Sequence, residues 1–129
     1  MNNLVNTNRI VLFSSYFLSD ELPFYIRFYL EKLQPHVKNI IFITNEEKTL
    51  NEESLIWLKN NTSHILFVKN EGYDFGMWQK ALNTYNLDDY EEIVLCNDSC
   101  ICFAGFEKYF DFHDKTNADV TGITLSNSI

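Results

Sequence analysis

Glu92-Ile93-Val94-Leu95-Cys96-Asn97-Asp98-Ser99 is an apolar run of strand length that ends in three small polar side chains. Continuous apolar runs, rather than alternating ones, mark strands buried on both faces. The same pattern recurs upstream at Arg9-Ile10-Val11-Leu12-Phe13-Ser14, Ile40-Ile41-Phe42-Ile43-Thr44 and Ile65-Leu66-Phe67-Val68. Val120-Thr121-Gly122-Ile123-Thr124 is a weaker fifth run.

Helical stretches separate these runs. Leu22, Ile26, Tyr29, Leu30 and Leu33 share one face of a helix that Ser19 or Asp20 is placed to cap. Pro23 is tolerable in its first turn and Pro35 ends it. A second helix is expected from about Asn51 to Asn60, with Leu55 and Leu58 turned inward. A third opens at Asp74, an N-cap residue type, with Met77, Trp78, Ala81, Leu82 and Tyr85 on one face. A fourth covers about Phe106 to His113. Strands alternating with helices predict an α/β fold: a three-layer sandwich with a mostly parallel sheet and right-handed crossovers.

The 129 residues make one domain's worth of chain, 1–129, with no linker or repeat. At 46% hydrophobic and 22% charged residues, the composition is that of a globular protein rather than a disordered one. The net charge is −8, with ten basic residues scattered among eighteen acidic ones. That excludes a phosphate-backbone binder, so no nucleic-acid partner is expected, and it excludes a polybasic membrane patch. Cys96, Cys100 and Cys102 are too few and too bunched for a disulfide framework, and their spacing matches no common zinc pattern. They read as reduced, buried or half-buried thiols, in keeping with a reducing compartment. Met1 to Asn8 do not read as a secretory signal, and no stretch is apolar enough to span a membrane.

Ligands of open parallel sheets bind beyond the carboxyl ends of the strands. Here those ends carry Ser14, Ser15 and Tyr16; Thr44 and Asn45; Asn70, Glu71, Gly72, Tyr73 and Asp74; and Asn97, Asp98 and Ser99. Such residues are also the ordinary turn formers, but four such ends side by side point to a ligand edge. Gly72 permits a positive-φ turn before the third helix. Asp74 is either a simple cap or a carboxylate that also reaches a nucleotide's sugar or base. Asp98 either closes an Asx-turn or, with the oxygens of Asn97 and Ser99, offers hard ligands to Mg²⁺ or Mn²⁺. The chain has no Gly-Lys-Ser/Thr phosphate loop and no G-x-G-x-x-G.

Asn70-Glu71-Gly72-Tyr73-Asp74-Phe75-Gly76-Met77-Trp78 followed by a strand and Cys96-Asn97-Asp98-Ser99 resembles the rhamnan synthesis protein F family, GT-A-like glycosyltransferases of bacterial surface-polysaccharide assembly. Phe13-Ser14-Ser15-Tyr16 and Thr121-Gly122-Ile123-Thr124 are lesser likenesses, and the whole spans about residues 9–126. Relatives carry a Pro shortly after Asn-Asp-Ser, where this chain has Cys100-Ile101-Cys102-Phe103. The resemblance implies a nucleotide-sugar donor such as dTDP-rhamnose and a growing glycan, free or lipid-linked, as acceptor. It also implies association with other polysaccharide-synthesis proteins, and a place in the cytoplasm or at the inner face of its membrane. It maps Asp98, with Ser99, onto the metal-binding acidic motif, and Asp74 onto a nucleotide-contacting aspartate. Ser14, Ser15, Asn45, Asn70, Gly72 and Asn97 would line the donor. GT-A enzymes are longer than this chain, so the resemblance puts the acceptor half and the usual catalytic carboxylate beyond Ile129. Within the chain, Asp111, His113, Asp114 and Asp119 are base candidates by elimination only. The alternative to a transferase is a non-catalytic domain of the same fold that binds a nucleotide or a partner enzyme.

Overall fold

Each of the four strong apolar runs forms a strand in the computed structural model, which describes residues 8–46, 49–69, 71–100, 102 and 104–122. They are β1 (Arg9–Ser15), β2 (Asn39–Asn45), β3 (His64–Val68) and β4 (Glu92–Asn97). The helices are α1 (Phe24–Leu33), α2 (Glu52–Asn61), α3 (Tyr73–Thr84) and α4 (Glu107–Lys115). All neighbouring strands are parallel, in the order β3-β2-β1-β4.

The chain steps from β1 to β2 to β3 in one direction and then returns past β1 to form β4. A constant crossover hand requires the returning helix to lie on the other face. The core divides accordingly. Residues of α1, α2 and α4 pack on Val11, Phe13, Ile40 and Phe42. Met77 and Ala81 of α3 pack on Ile10, Leu12, Ile41 and Ile43. On the first face the Phe13 ring lies edge-on to Tyr29 at 5.0 Å and stacks on Phe42 at 5.9 Å. The reversal of strand order falls between β1 and β4, where open α/β sheets leave a crevice at the carboxyl ends.

The helix starts depart from the sequence reading. Pro23 is the N-cap of α1 rather than a first-turn residue, and no side chain caps the helix. Ser19 instead accepts a hydrogen bond from the Glu21 amide. In α2, Asn51 caps by accepting from the Ser54 amide at 2.8 Å. Leu58 is buried there and Leu55 only half-buried, because Ser54 takes an inward position and accepts from the Leu22 amide. The fifth strand does not form over Val120–Gly122. Thr121 is held against α4 instead: its hydroxyl bonds Tyr109 and His113, and its carbonyl accepts from Tyr109. Ile123 and Thr124 lie outside the described residues. Of the thiols, Cys96 is buried and Cys102 half-buried, whereas Cys100 is exposed, contrary to expectation.

At the amino end of the sheet, Arg9 is fully buried and solvated by protein alone. Its Nε donates to Glu92 at 2.7 Å, and its other nitrogens reach Asp114 and the His36 carbonyl. The guanidinium also lies over the Phe110 ring, 4.6 Å from its centre. His113 joins the network through Glu92 at 2.7 Å. Glu92, His113 and Asp114 bring their ligand atoms together as a cation site would. The Arg9 charge already fills that role, so the cluster reads as a clamp fastening α4 to β1 and β4. Burial alone would raise the Glu92 pKa, but hydrogen bonds from Arg9 and His113 outweigh it and hold the carboxyl below its usual value. A carboxylate with a depressed pKa stabilises the fold above its ordinary range and loses that contribution on acidification. Arg9→Met is therefore expected to cost about 3 kcal/mol at neutral pH by stranding Glu92. In urea unfolding, the gap between variant and wild type should narrow as the pH falls below the usual carboxylate range. A gap that persists unchanged in acid would show that packing on Phe110, not the ion pairs, sets the cost.

Candidate functional site

The turn from β3 into α3 is built on two successive left-handed residues. Gly72 has φ +75° and Tyr73 φ +56°. The first is easy for glycine, whereas the second costs a tyrosine about 1 kcal/mol. Four residues on, the Gly76 amide donates to the Gly72 carbonyl at 2.9 Å. A Cβ on Gly76 would collide with the Glu71 carbonyl, so only glycine lets the chain fold back this closely. Gly72 thus occupies the N-cap position, and Asp74 lies one residue inside the helix.

Asp74 is consequently not the cap that its residue type suggested. The tight turn swings its carboxylate away from the helix end and onto the sheet edge. There Oδ1 accepts from the Ser14 hydroxyl at 2.9 Å and Oδ2 accepts from the Asn97 amide at 2.8 Å. Ser14 lies one residue before the end of β1 and Asn97 closes β4, so Asp74 straddles the β1/β4 crevice. Ser15, next on β1, donates to Asp98 Oδ2 at 2.9 Å, and the Tyr16 amide donates to the same oxygen at 3.1 Å. Neither bond uses Oδ1. Asn97 also accepts from the Ser99 amide at 3.1 Å, closing an Asx-turn that aims Asp98 back at β1. Two carboxylates, two serines and an asparagine thus interlock at the point where the strand order reverses.

The rhamnan synthesis protein F family matches residues 40–129, from within β2 to the last residue of the chain. The chain belongs to that family. Its members' role in rhamnan synthesis places this protein in polysaccharide biosynthesis. No curated protein and no solved structure matches the chain. The matched region contains Asp74, Asn97, Asp98 and Ser99 but not β1, so Ser14 and Ser15 join the site by geometry alone. Among the described residues no helix is long and apolar enough to cross a membrane.

Electrostatics single out Asp98 within this edge. Burial raises its pKa above the usual carboxylate value, hydrogen bonds from Ser15 and Tyr16 pull it back, and the Asp74 charge pushes it up again. Tyr25, at the start of α1, has its phenol pKa raised by burial and then by the Asp98 charge. Its place could have been read from the sequence, because the first turn of α1 must lie at the carboxyl end of β1. The Trp78 indole donates to the Cys96 carbonyl at 3.1 Å and ties α3 to the end of β4. The buried Cys96 thiol is pushed up to about 12 by burial, offset in part by a hydrogen bond from Tyr29, and is chemically quiet.

The remaining candidates fall elsewhere. Asn45 ends β2, is buried and accepts from the Thr44 hydroxyl at 3.2 Å, one strand removed from the interlock. Asn70 lies outside the described residues. Ser99 is exposed and enters the site through its backbone amide. The structure places the base candidates on α4 or after it. His113 and Asp114 bind Glu92 and Arg9, the first residues of β4 and β1. That is a strand length, roughly 20 Å, from Asp74 and Asp98. Asp111, on the same α4, pairs with Lys115, and Asp119 is exposed beyond that helix.

The interlock makes a specific demand on Asp74. In Asp74→Asn one oxygen becomes an amide that faces either the Asn97 amide or the Ser14 hydroxyl. The expected cost is about 1 kcal/mol of stability in urea unfolding. Exchanging the two residues, Asp74→Asn with Asn97→Asp, restores a donor opposite an acceptor and should recover most of it. A silent single variant would show that the Ser14 hydroxyl turns to accept from the new amide, so that the negative charge of Asp74 is not needed to hold the edge.

Proposed function

We propose that the β1/β4 edge binds the diphosphate of a nucleotide sugar through a divalent cation held at Asp98, as the donor-binding step of glycosyl transfer into a surface polysaccharide. The observation that carries this reading is the paired carboxylates Asp74 and Asp98, fixed by Ser14, Ser15, Asn97 and the Tyr16 amide at the topological switch point. Family membership supports the polysaccharide end of the reading, with dTDP-rhamnose or a close relative as donor and a growing glycan as acceptor.

The donor set fits Mg²⁺ or Mn²⁺. It is all oxygen, with the Asp98 carboxylate aimed and partly desolvated and the Ser99 hydroxyl one residue on. A cation there would supply charge neutralisation to the leaving diphosphate. The chain's own groups do the rest. Ser15 and the Tyr16 amide hold Asp98 Oδ2, so the carboxylate cannot rotate away. Asp74, locked to both strands, keeps β1 and β4 in register at the crevice and lies ready to accept from a nucleotide hydroxyl or base. Tyr25 closes the Asp98 side as a neutral phenol able to donate to a phosphate oxygen.

A second reading is a nucleotide-binding domain without turnover, working beside a partner polysaccharide enzyme. It draws on the position of the four base candidates: two are tied into the Arg9 clamp at the amino end, and the others belong to α4 or the segment after it.

Calorimetry with dTDP and UDP, with Mn²⁺, Mg²⁺ or chelator, tests the first reading. Nucleotide affinity should fall at least tenfold, about 1.4 kcal/mol, in chelator and again in Asp98→Asn. Folding should survive the substitution, since the amide oxygen can keep both bonds to Oδ2. The sign of the pKa shift adds a control. A carboxyl whose pKa is raised by the fold opposes folding once ionised, so cation-free Asp98→Asn should melt no lower than wild type at neutral pH. Equal, metal-independent affinity in both proteins would sink the cation role. Metal-dependent dTDP binding without release of rhamnose from dTDP-rhamnose, to water or an acceptor, would favour the second reading.

A further inference from the structure

Among the described residues Tyr73 alone combines a side chain with a left-handed backbone. It is also 84% exposed. Strained backbone clusters at ligand sites, where its cost is offset by what the side chain does there. Inside the fold this side chain does very little. Among the described residues its hydroxyl has no hydrogen-bond partner and its ring no neighbouring ring. Phe75, 78% exposed, at least lies edge-on to Trp78 at 5.2 Å. Nor does the turn call for a tyrosine, since asparagine enters the left-handed region more readily and glycine does so freely. Tyr73 directly precedes Asp74, whose carboxylate spans Ser14 and Asn97, so it stands at the lip of the β1/β4 crevice. Asn8 and Thr121, near the two ends of the described chain, lie at the opposite end of the sheet. The Asn8 carbonyl accepts from the Glu91 amide, and Thr121 bonds His113 beside Glu92.

We infer that the exposed face of the Tyr73 ring is a contact surface for an uncharged ring of the ligand bound at this edge. The inference rests on the proposed donor site and adds a ligand-contact residue to it. The carboxylate of Asp74, next in the chain, disfavours phosphate beside Tyr73, and the proposed cation keeps the diphosphate at Asp98. A nucleoside-diphosphate sugar carries two uncharged rings, the base and the sugar, one on each side of its diphosphate. Either presents a face that packs on a tyrosine ring. Such packing uses the ring and not the hydroxyl, in keeping with a hydroxyl left without a partner inside the protein. Carboxylate and ring then divide the work: Asp74 accepts from the polar rim of the ligand ring and Tyr73 covers its face.

Calorimetry in Mn²⁺ with inorganic pyrophosphate, dTDP and dTDP-rhamnose tests the inference on wild type, Tyr73→Asn and Tyr73→Phe. Tyr73→Asn removes the ring and suits the left-handed backbone, so it should melt no lower than wild type. It should bind pyrophosphate as wild type does and the ring-bearing ligands at least about fivefold more weakly. A loss already present with dTDP assigns the contact to the base, and a loss seen only with dTDP-rhamnose assigns it to the sugar. Tyr73→Phe keeps the ring and should bind all three as wild type does. Equal binding of all three ligands by Tyr73→Asn overturns the inference while leaving the donor site standing. So does a loss that extends to pyrophosphate, which would come through the Asp74 turn, or an equal loss in Tyr73→Phe. A wild type that binds none of the three overturns both the inference and the donor site.

Discussion

Every residue of β1 is buried, from Arg9 to Ser15. A strand flanked on both sides and covered on both faces can surround its apolar middle with side chains, but its polar ends must find partners inside the protein. Arg9 draws Glu92, Asp114 and the His36 carbonyl to the amino end. Ser14 and Ser15 draw Asp74 and Asp98 to the carboxyl end. The α4 clamp and the candidate site are thus two solutions to one constraint, set by opposite ends of the same strand.

The two solutions differ in electrostatic character. At the amino end one cation is shared by several acceptors, Glu92 is held in its charged form, and the arrangement is stabilising near neutrality. At the carboxyl end two carboxylates are each held by neutral donors, and Asp98 is held less readily ionised than in water. Structural ion clusters tend to the first pattern, whereas sites that await a charged ligand tend to the second. This contrast, more than residue type, separates Asp98 from Glu92, although both lie at the ends of β4.

The strands were legible because burial on both faces leaves an unbroken apolar run, and the parallel sheet followed from helices of sufficient length between them. The helix starts were less so. Ser19 and Asp74 look like caps, but capping depends on the backbone angle at which the chain enters the helix. Here Pro23 sets one entry and the left-handed Gly72–Tyr73 pair sets the other. A tyrosine at φ +56° is not written in any local pattern; it goes with a turn in which Gly76 closely approaches Glu71. Val120–Gly122 has strand composition, yet the hydroxyl and carbonyl of Thr121 are claimed by Tyr109 and His113. Long-range bonds of that kind leave no trace in periodicity. The site residues at β1, α3 and β4 were readable because the carboxyl-edge rule needs only strand order. Asn45 answers to the same rule and still falls outside the interlock, because the chain reverses between β1 and β4 and not beside β2.

The acidity of the chain bears directly on the proposed ligand. A protein of net charge −8 that adds two carboxylates at its ligand edge repels a free diphosphate. The N-termini of α1 and α3 open toward that edge, and their dipoles would ordinarily favour an anion. Asp74, in the first turn of α3, offsets one of them, and Asp98 beside Tyr25 offsets the other. On the proposed reading, a divalent cation reverses the sign of the edge, converting an arrangement that excludes nucleotide into one that needs the metal to admit it. The same reversal would relieve the repulsion between Asp74 and Asp98, so ligand binding and local stability would rise together at one pair of side chains.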